Sequence, residues 1–365
     1  MRICFLAPAT SAHVIKWCRY FTGRGHEVHV ISFTDGKIPG AAVHYIDSQA
    51  SVSSSDLRKL SYLTRVFKIR KIVSQIQPDI INAHYATSYG AVAALAGMKN
   101  YIVSVWGSDV YDFPRKSRLH RLLLQFSLRR ASYLFSTSYA MAKEAEKYTD
   151  KEFIITPFGV DTKLFTPEKR SRRDKKFVIG TIKGLYYKYG IDYLLKAAAI
   201  LKKEHPEIPL LVRIAGKGED EAVFHQLAER LGLASVVEWL GFISQEQAAL
   251  EWANMDLAII PSSDESESFG VAAVEAQSCG CPVIISDIPG LMEATQPDDT
   301  SVVVPRKNAE KLAEAIFNLY CEPEKRKNMG ENGRQYVMDR YEYEHCFHKI
   351  EEEFETVINC KKHRV

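Results

Sequence analysis

Short apolar runs recur along this chain, each followed by a polar break and then by apolar positions at helical spacing. Ile3-Cys4-Phe5-Leu6 is the first run, and residues 8–11 break it. Val14, Trp17, Cys18 and Phe21 then fall on one helix face, and Gly23 and Gly25 end it. Val28-His29-Val30-Ile31 is the next run. Strand, helix, strand in that order predicts a βαβ unit and a parallel sheet. Further strands are predicted at residues 80–81, 102–105 and 133–135. The pattern restarts at Phe177-Val178-Ile179-Gly180. A helix over residues 193–203 follows, with Leu194, Leu195, Ala198 and Leu201 on its apolar side, and strands at 210–214, 257–260 and 283–285. The tail, residues 341–358, reads as a helix carrying Phe347, Ile350, Phe354, Val357 and Ile358. The expectation is α/β: two Rossmann-like, doubly wound domains of similar size, facing one another with a ligand in the cleft between them.

Length agrees, since 365 residues exceed one small domain. With 46% hydrophobic and 25% charged residues, the chain is neither disordered nor low-complexity. No apolar run reaches the roughly 18 residues of a membrane-spanning helix. The first apolar run is too short for the core of a signal peptide. Seven cysteines without a CxxC pair suggest free thiols in a reducing cytosol. The net charge of +3 hides an asymmetry. Residues 1–165 hold 22 Lys+Arg against 12 Asp+Glu, and residues 177–365 hold 20 against 31. The charged run 168–176 reads as part of a linker over 166–176, between an N-terminal domain (1–165) and a C-terminal one (177–340).

The basic half expects an anionic partner. Arg58, Lys59, Arg65, Lys68, Arg70 and Lys71 interrupt an apolar stretch with Leu57, Leu60, Leu63, Val66, Phe67 and Ile69. Arg115, Lys116, Arg118, Arg121, Arg129 and Arg130 surround Leu119, Leu122, Leu123, Leu124, Phe126 and Leu128. In isolation each is more often a solvated helix face. Two on one basic domain favour docking on an anionic membrane. No nucleic-acid-binding module is recognisable, so no nucleic-acid partner is expected.

The most informative segment is residues 261–276, Pro-Ser-Ser-Asp-Glu-Ser-Glu-Ser-Phe-Gly-Val-Ala-Ala-Val-Glu-Ala. It follows an apolar strand and enters a helix expected from about Phe269 to Cys279-Gly280, with Pro282 blocking continuation. Glu267 falls at the helix mouth, and Glu275 lies eight residues on, about 12 Å along a helix axis. Phe269, Gly270 and Val271 offer backbone N–H groups to an anion there. An anion flanked by two carboxylates suits a sugar nucleotide: pyrophosphate at the helix mouth, ribose diol at one Glu, sugar hydroxyls at the other. The bland reading makes Glu267 an ordinary N-terminal helix charge and Glu275 a solvated side chain. Against it, Glu275 is set in Val-Ala-Ala-Val-Glu-Ala, where a carboxylate needs a partner.

This E-x7-E segment, with Glu275-Ala276-Gln277-Ser278-Cys279-Gly280-Cys281-Pro282-Val283-Ile284 after it, resembles the family 4 retaining glycosyltransferases of GT-B fold. Five other stretches are similar to that family in the same order. They are Gly25-His26-Glu27-Val28, residues 78–84, Pro157-Phe158-Gly159-Val160-Asp161 with Phe165 and Pro167, Ala215-Gly216-Lys217-Gly218, and Leu240-Gly241-Phe242. The resemblance spans essentially the whole chain.

It implies a transfer of a hexose-type unit from a nucleotide-diphosphate sugar (UDP or GDP type) to an acceptor hydroxyl, with retention. A glycan or lipid-linked glycan of cell-surface polysaccharide synthesis is the implied acceptor, and the C-terminal helix, about 341–365, is expected to cross back to the first domain. Glu275 corresponds to the ribose-binding Glu and Glu267 to the one on the transferred sugar. Phe269, Gly270 and Val271 correspond to backbone donors, and Phe242 and Ile243 to the nucleobase position. Gly184 and Gly216 lie in donor loops. Lys188 matches the family Lys on the diphosphate. The family Arg position holds Thr181, with Lys183 the candidate replacement. Arg grips phosphate in a fork and Lys as a point charge, so the exchange changes the chemistry. On the acceptor side stand His13, His84, Trp106 and Ser108, with Asp109 as a candidate to polarise the acceptor hydroxyl. Trp106 replaces a His common in the family, and Pro8-Ala9-Thr10-Ser11 replaces its Gly-Gly pair. No Asp-x-Asp occurs, so no catalytic metal or other cofactor is expected. Two rivals are a GT-B-fold nucleotide-sugar epimerase and a membrane-docked sugar-nucleotide binding protein without catalysis.

Overall fold

The computed structural model describes residues 1–47, 65–172 and 174–362. The chain forms two compact units, residues 1–158 with 346–365, and residues 159–345.

In the first unit the strands are β1 (Arg2–Leu6), β2 (Glu27–Ser32), β3 (Ala42–Tyr45), β4 (Ile80–His84), β5 (Tyr101–Val105), β6 (Tyr133–Ser136) and β7 (Phe153–Ile155). The helices are α1 (Ala12–Gly23), α2 (Val66–Ile76), α3 (Ala91–Leu95), α4 (Arg118–Arg130) and α5 (Tyr139–Ala145). All pairings are parallel, in the order β3-β2-β1-β4-β5-β6-β7. Strand order reverses between β1 and β4, so the crevice beyond their carboxyl ends is the expected ligand position. Alternation sends Cys4 and Leu6 of β1 to one face, where Ile69 of α2 and Leu124 and Leu128 of α4 cover them. Phe5 goes to the other face, against Trp17 and Phe21 of α1.

That second face is completed by the last helix, α13 (Tyr343–Lys362), whose residues from Cys346 onward belong to the first unit. Phe354 lies 5.3 Å from Phe21 and 6.1 Å from Phe135, and Phe347 lies 5.6 Å from Trp17. Each such aromatic burial stabilises by about 1.5–3 kcal/mol. Glu351 of α13 accepts a hydrogen bond from Tyr20 Oη at 3.1 Å and pairs with His26 and Arg24.

The second unit repeats the plan. Its strands are β8 (Phe177–Ile182), β9 (Leu210–Ala215), β10 (Val237–Gly241), β11 (Leu257–Ile260), β12 (Val283–Ser286) and β13 (Ser301–Val304). Its helices are α6 (Ile191–Glu204), α7 (Glu221–Arg230), α8 (Gln245–Asn254), α9 (Val271–Ser278), α10 (Pro289–Glu293), α11 (Ala309–Cys321) and α12 (Pro323–Arg340). The parallel order β10-β9-β8-β11-β12-β13 puts the reversal between β8 and β11.

The charged run expected to be a linker lies in this second unit. Arg170 and Arg172 both pair with Asp256, and the N–H groups of Ser171 and Arg172 donate to Asn254 Oδ1 at the end of α8. The preceding stretch is held by Arg334, which donates to the carbonyls of Thr162 and Phe165. The change of unit therefore falls at Phe158/Gly159, ahead of the charged residues.

Candidate active site

Beyond β8 and β11 two loops meet, residues 183–190 and 261–270. Their backbones are tied together: Ser263 N–H donates to Lys188 O at 2.9 Å, and Ser263 Oγ to Tyr187 O at 3.0 Å. Lys183 is fixed from the other side. Its N–H donates to Ala215 O, and Gly216 (φ +140°) packs so closely that a Cβ there would lie 1.9 Å from Lys183 O. Only glycine permits that approach.

This framework sets Lys183 Nζ 2.7 Å from Glu267 Oε2. Glu267 is only 7% exposed, and the same oxygen accepts from Ser262 Oγ at 3.3 Å. Burial disfavours the Lys183 ammonium, yet Glu267, Tyr189 and Glu275 together hold its pKa above the ordinary 10.5. Both glutamates of the E-x7-E pair therefore act on one lysine. The Tyr189 ring adds a second tie: Lys183 Nζ is 4.8 Å and Lys188 Nζ 5.3 Å from its centroid.

The helix carrying Glu275 begins at Val271, two residues later than expected, because Gly270 takes a left-handed φ of +75° as its N-cap. The first N–H groups of such a helix have no intrahelical acceptor. Phe269 is buried with its ring edge-on to Tyr341, so it presents backbone rather than ring to this spot. Glu275 is half-buried. Phe242, in the loop after β10, is 79% exposed, with Ile243 half-buried beside it. Gly184, also half-buried, follows Lys183 in its loop.

At the reversal of the first sheet the residues are aromatic. The His13 ring stacks on Phe158 at 4.1 Å and stands edge-on to Trp106 at 5.7 Å. Burial and the nearby Lys16 charge lower its pKa to about 4, so it is neutral at pH 7. His84 is wholly buried behind Trp106, ring centroids 4.4 Å apart. Neither of its ring nitrogens has a hydrogen-bond partner among the described residues, and burial pushes its pKa to about 3. Ser108 is exposed.

The profile of the family described as "Glycosyl transferases group 1" matches residues 163–336, and that of "Glycosyl transferase 4-like" matches residues 2–138. The chain belongs to the glycosyltransferases. A D-inositol 3-phosphate glycosyltransferase of Arthrobacter sp. (strain FB24) is 28% identical over 326 residues, 80% of this chain and 75% of that one. The putative glycosyltransferase EpsD of Bacillus subtilis (strain 168) is 24% identical, covering 88% of this chain and 87% of its own. Among solved structures, the sucrose-phosphate synthase of Thermosynechococcus elongatus superposes with a TM-score of 0.86 at 17% identity, over 99% of this chain and 100% of that one. Anabaena HepE in complex with UDP-glucose superposes at 0.81 and 21% identity, over 98% and 100%. The fold is GT-B.

In this glycosyltransferase two residues expected on the acceptor side are buried. Asp109 is 1% exposed, and its oxygens accept from the backbone N–H groups of Ala86, Trp106 and Gly107. Although burial raises its pKa, those three donors engage the carboxylate. It staples the loop after β5 to the one after β4. His84, being enclosed, supports Trp106 and presents nothing outward. Sequence reading missed Phe158 as the platform under His13, and Tyr189 between two lysines. The interleaving Tyr186-Tyr187-Lys188-Tyr189 was the available signal for the latter.

Of the basic stretches, residues 57–60 and Leu63 lie outside the described residues. In α2, Phe67 is 81% exposed beside exposed Lys68, Arg70 and Lys71. In α4, Leu119 and Leu122 are 73% and 60% exposed, next to the exposed Arg118 and Arg121 respectively. Both helices cover the same face of the first sheet. No helix among the described residues is long and apolar enough to cross a membrane.

Proposed function

We propose that the chain moves a hexose-type unit from a nucleoside diphosphate sugar to an acceptor hydroxyl with retention of configuration and without a metal. The observation that carries this reading is the lysine ion-paired to one glutamate of the E-x7-E pair and under the field of the other, at the reversal point of the second sheet. Glu275 accepts the ribose diol, Phe242 and Ile243 flank the base, and Glu267 orients the sugar hydroxyls. As the bond from the anomeric carbon to the phosphate oxygen breaks, charge grows on the diphosphate. Lys183, Lys188 and the N–H groups at Gly270 and Val271 meet that charge. The leaving oxygen takes the acceptor's proton on the face where the acceptor oxygen bonds to the sugar, so no covalent nucleophile is needed. His13, Trp106 and Ser108 receive the acceptor. The UDP and UDP-glucose bound by Anabaena HepE support a nucleotide-sugar donor.

The exposed Leu119, Leu122 and Phe67 among cations favour an acceptor held at an anionic membrane, on the cytoplasmic side, as in cell-surface glycan synthesis. Calorimetric titration with UDP, GDP, ADP and dTDP in EDTA, on wild type and Glu275→Ala, tests the donor site. One nucleotide is expected to bind, and the substitution to weaken it. Folded protein that binds none of the four overturns the reading.

A further inference from the structure

Two lysines of the donor loop converge on one aromatic ring that the mechanism above does not use. Tyr189 closes the turn Tyr187–Tyr189, and the next residue, Gly190, packs where a Cβ would lie 1.9 Å from Pro261 O. The ring is thus anchored by backbone packing between the two loops of the site. Lys183 Nζ and Lys188 Nζ lie 4.8 and 5.3 Å from its centroid, both within cation–π range. Lys183 also has a competing attachment, Glu267 at 2.7 Å. An ammonium on a flexible four-carbon stem has no fixed direction of its own. The ring supplies one for both lysines, and it offers Lys183 a resting place besides the carboxylate.

We propose that Tyr189 is a positioning residue for the donor's diphosphate: its ring face gathers the Lys183 and Lys188 ammonium groups at a single phosphate-binding spot. This rests on the reading of those lysines as the diphosphate's cations. The ring's π-face does the gathering, so phenylalanine can replace tyrosine and an aliphatic side chain cannot.

The test compares wild type, Tyr189→Phe, Tyr189→Leu, Tyr189→Met, Lys183→Ala and Lys188→Ala. Calorimetry measures the affinity of the nucleoside diphosphate that wild type selects from UDP, GDP, ADP and dTDP, and of the matching monophosphate. The readout is the ratio of diphosphate to monophosphate affinity, which general loosening of the fold does not shift. Both lysine variants are expected to lower that ratio. Tyr189→Leu and Tyr189→Met are expected to lower it by about 10- to 30-fold, the size of a partly to fully desolvated cation–π contact, and Tyr189→Phe to keep it. The methionine variant, unbranched and adaptable, serves if the leucine variant fails to fold. A ratio unchanged in the leucine or methionine variant while the lysine variants lose it overturns the role of Tyr189 and leaves the donor-site reading intact. A ratio unchanged in the lysine variants overturns the donor-site reading itself. Loss in Tyr189→Phe equal to that in Tyr189→Leu refutes a role for the ring face.

Discussion

Replacing Glu267 with glutamine separates two effects that its carboxylate combines. The carboxylate orients the sugar in the proposed mechanism, but it also occupies Lys183 at 2.7 Å in a place where both side chains are little exposed. An incoming diphosphate must compete for that ammonium. A hydrogen bond to a charged group contributes about 1.5–3 kcal/mol. Removing the competitor should therefore tighten binding of a bare nucleoside diphosphate by about 10- to 100-fold, at about 1.4 kcal/mol per factor of ten. The lysine keeps its charge in the variant. Glu275 still favours the cation. Transfer, in contrast, should be lost, because the sugar hydroxyls lose their carboxylate. The assay is calorimetry with the nucleoside diphosphate beside a chromatographic transfer assay with its sugar conjugate. Equal or weaker diphosphate binding by folded Glu267→Gln would show that the pair does not compete with the ligand, and would refute the reasoning.

Three further outcomes are expected. Asp109→Ala leaves three backbone N–H groups without their acceptor, each costing about 1–3 kcal/mol if it stays unsatisfied, so urea unfolding should show a large loss of stability; intact stability with lost transfer would return Asp109 to the substrate. Burial would raise the pKa of Glu351, but hydrogen bonds from His26 and Tyr20 and the Arg24 charge hold it below 4.5; its stabilisation of α13 is therefore complete above about pH 4.5 and lost as pH falls through the lower folded value. Hydrogen exchange across residues 346–360 should accelerate in that range in wild type, and Glu351→Gln should remove the dependence. Leu119→Ser with Leu122→Ser should weaken sedimentation with vesicles of anionic phospholipid while leaving nucleotide binding unchanged, and unchanged sedimentation would count against docking through α4.

What sequence could and could not reveal follows burial. The strands read from apolar runs are mainly central ones, β1, β4, β5, β8, β11 and β12 among them, whose residues are covered on both faces. The four that escaped, β3, β7, β10 and β13, are the edges of the two sheets. Half-covered edge strands carry polar residues such as His44, Glu238 and Ser301, which interrupt the runs. At the site, residue types alone single out 261–276, the family resemblance points to 180–190, and folding brings Lys183 to Glu267. The burial of Asp109 and His84 is not legible in the sequence. A carboxylate that saturates itself on three backbone donors and one that awaits a hydroxyl look the same in one dimension. The charged run looks like a linker in sequence because its partners, Asp256 and Asn254, lie some eighty positions on.

The helix α13 has a consequence for how the protein is made. Phe347 and Phe354 fill the aromatic face of the first unit, yet they leave the ribosome only after the whole second unit has been synthesised. Chains generally fold domain by domain as they emerge. Here the first half to emerge must wait with Phe21 and Trp17 uncovered while the second can close on its own. Until the last helix emerges, Phe21 and Trp17 lack their Phe354 and Phe347 partners. The order of completion in the cell is thus the reverse of the order of translation.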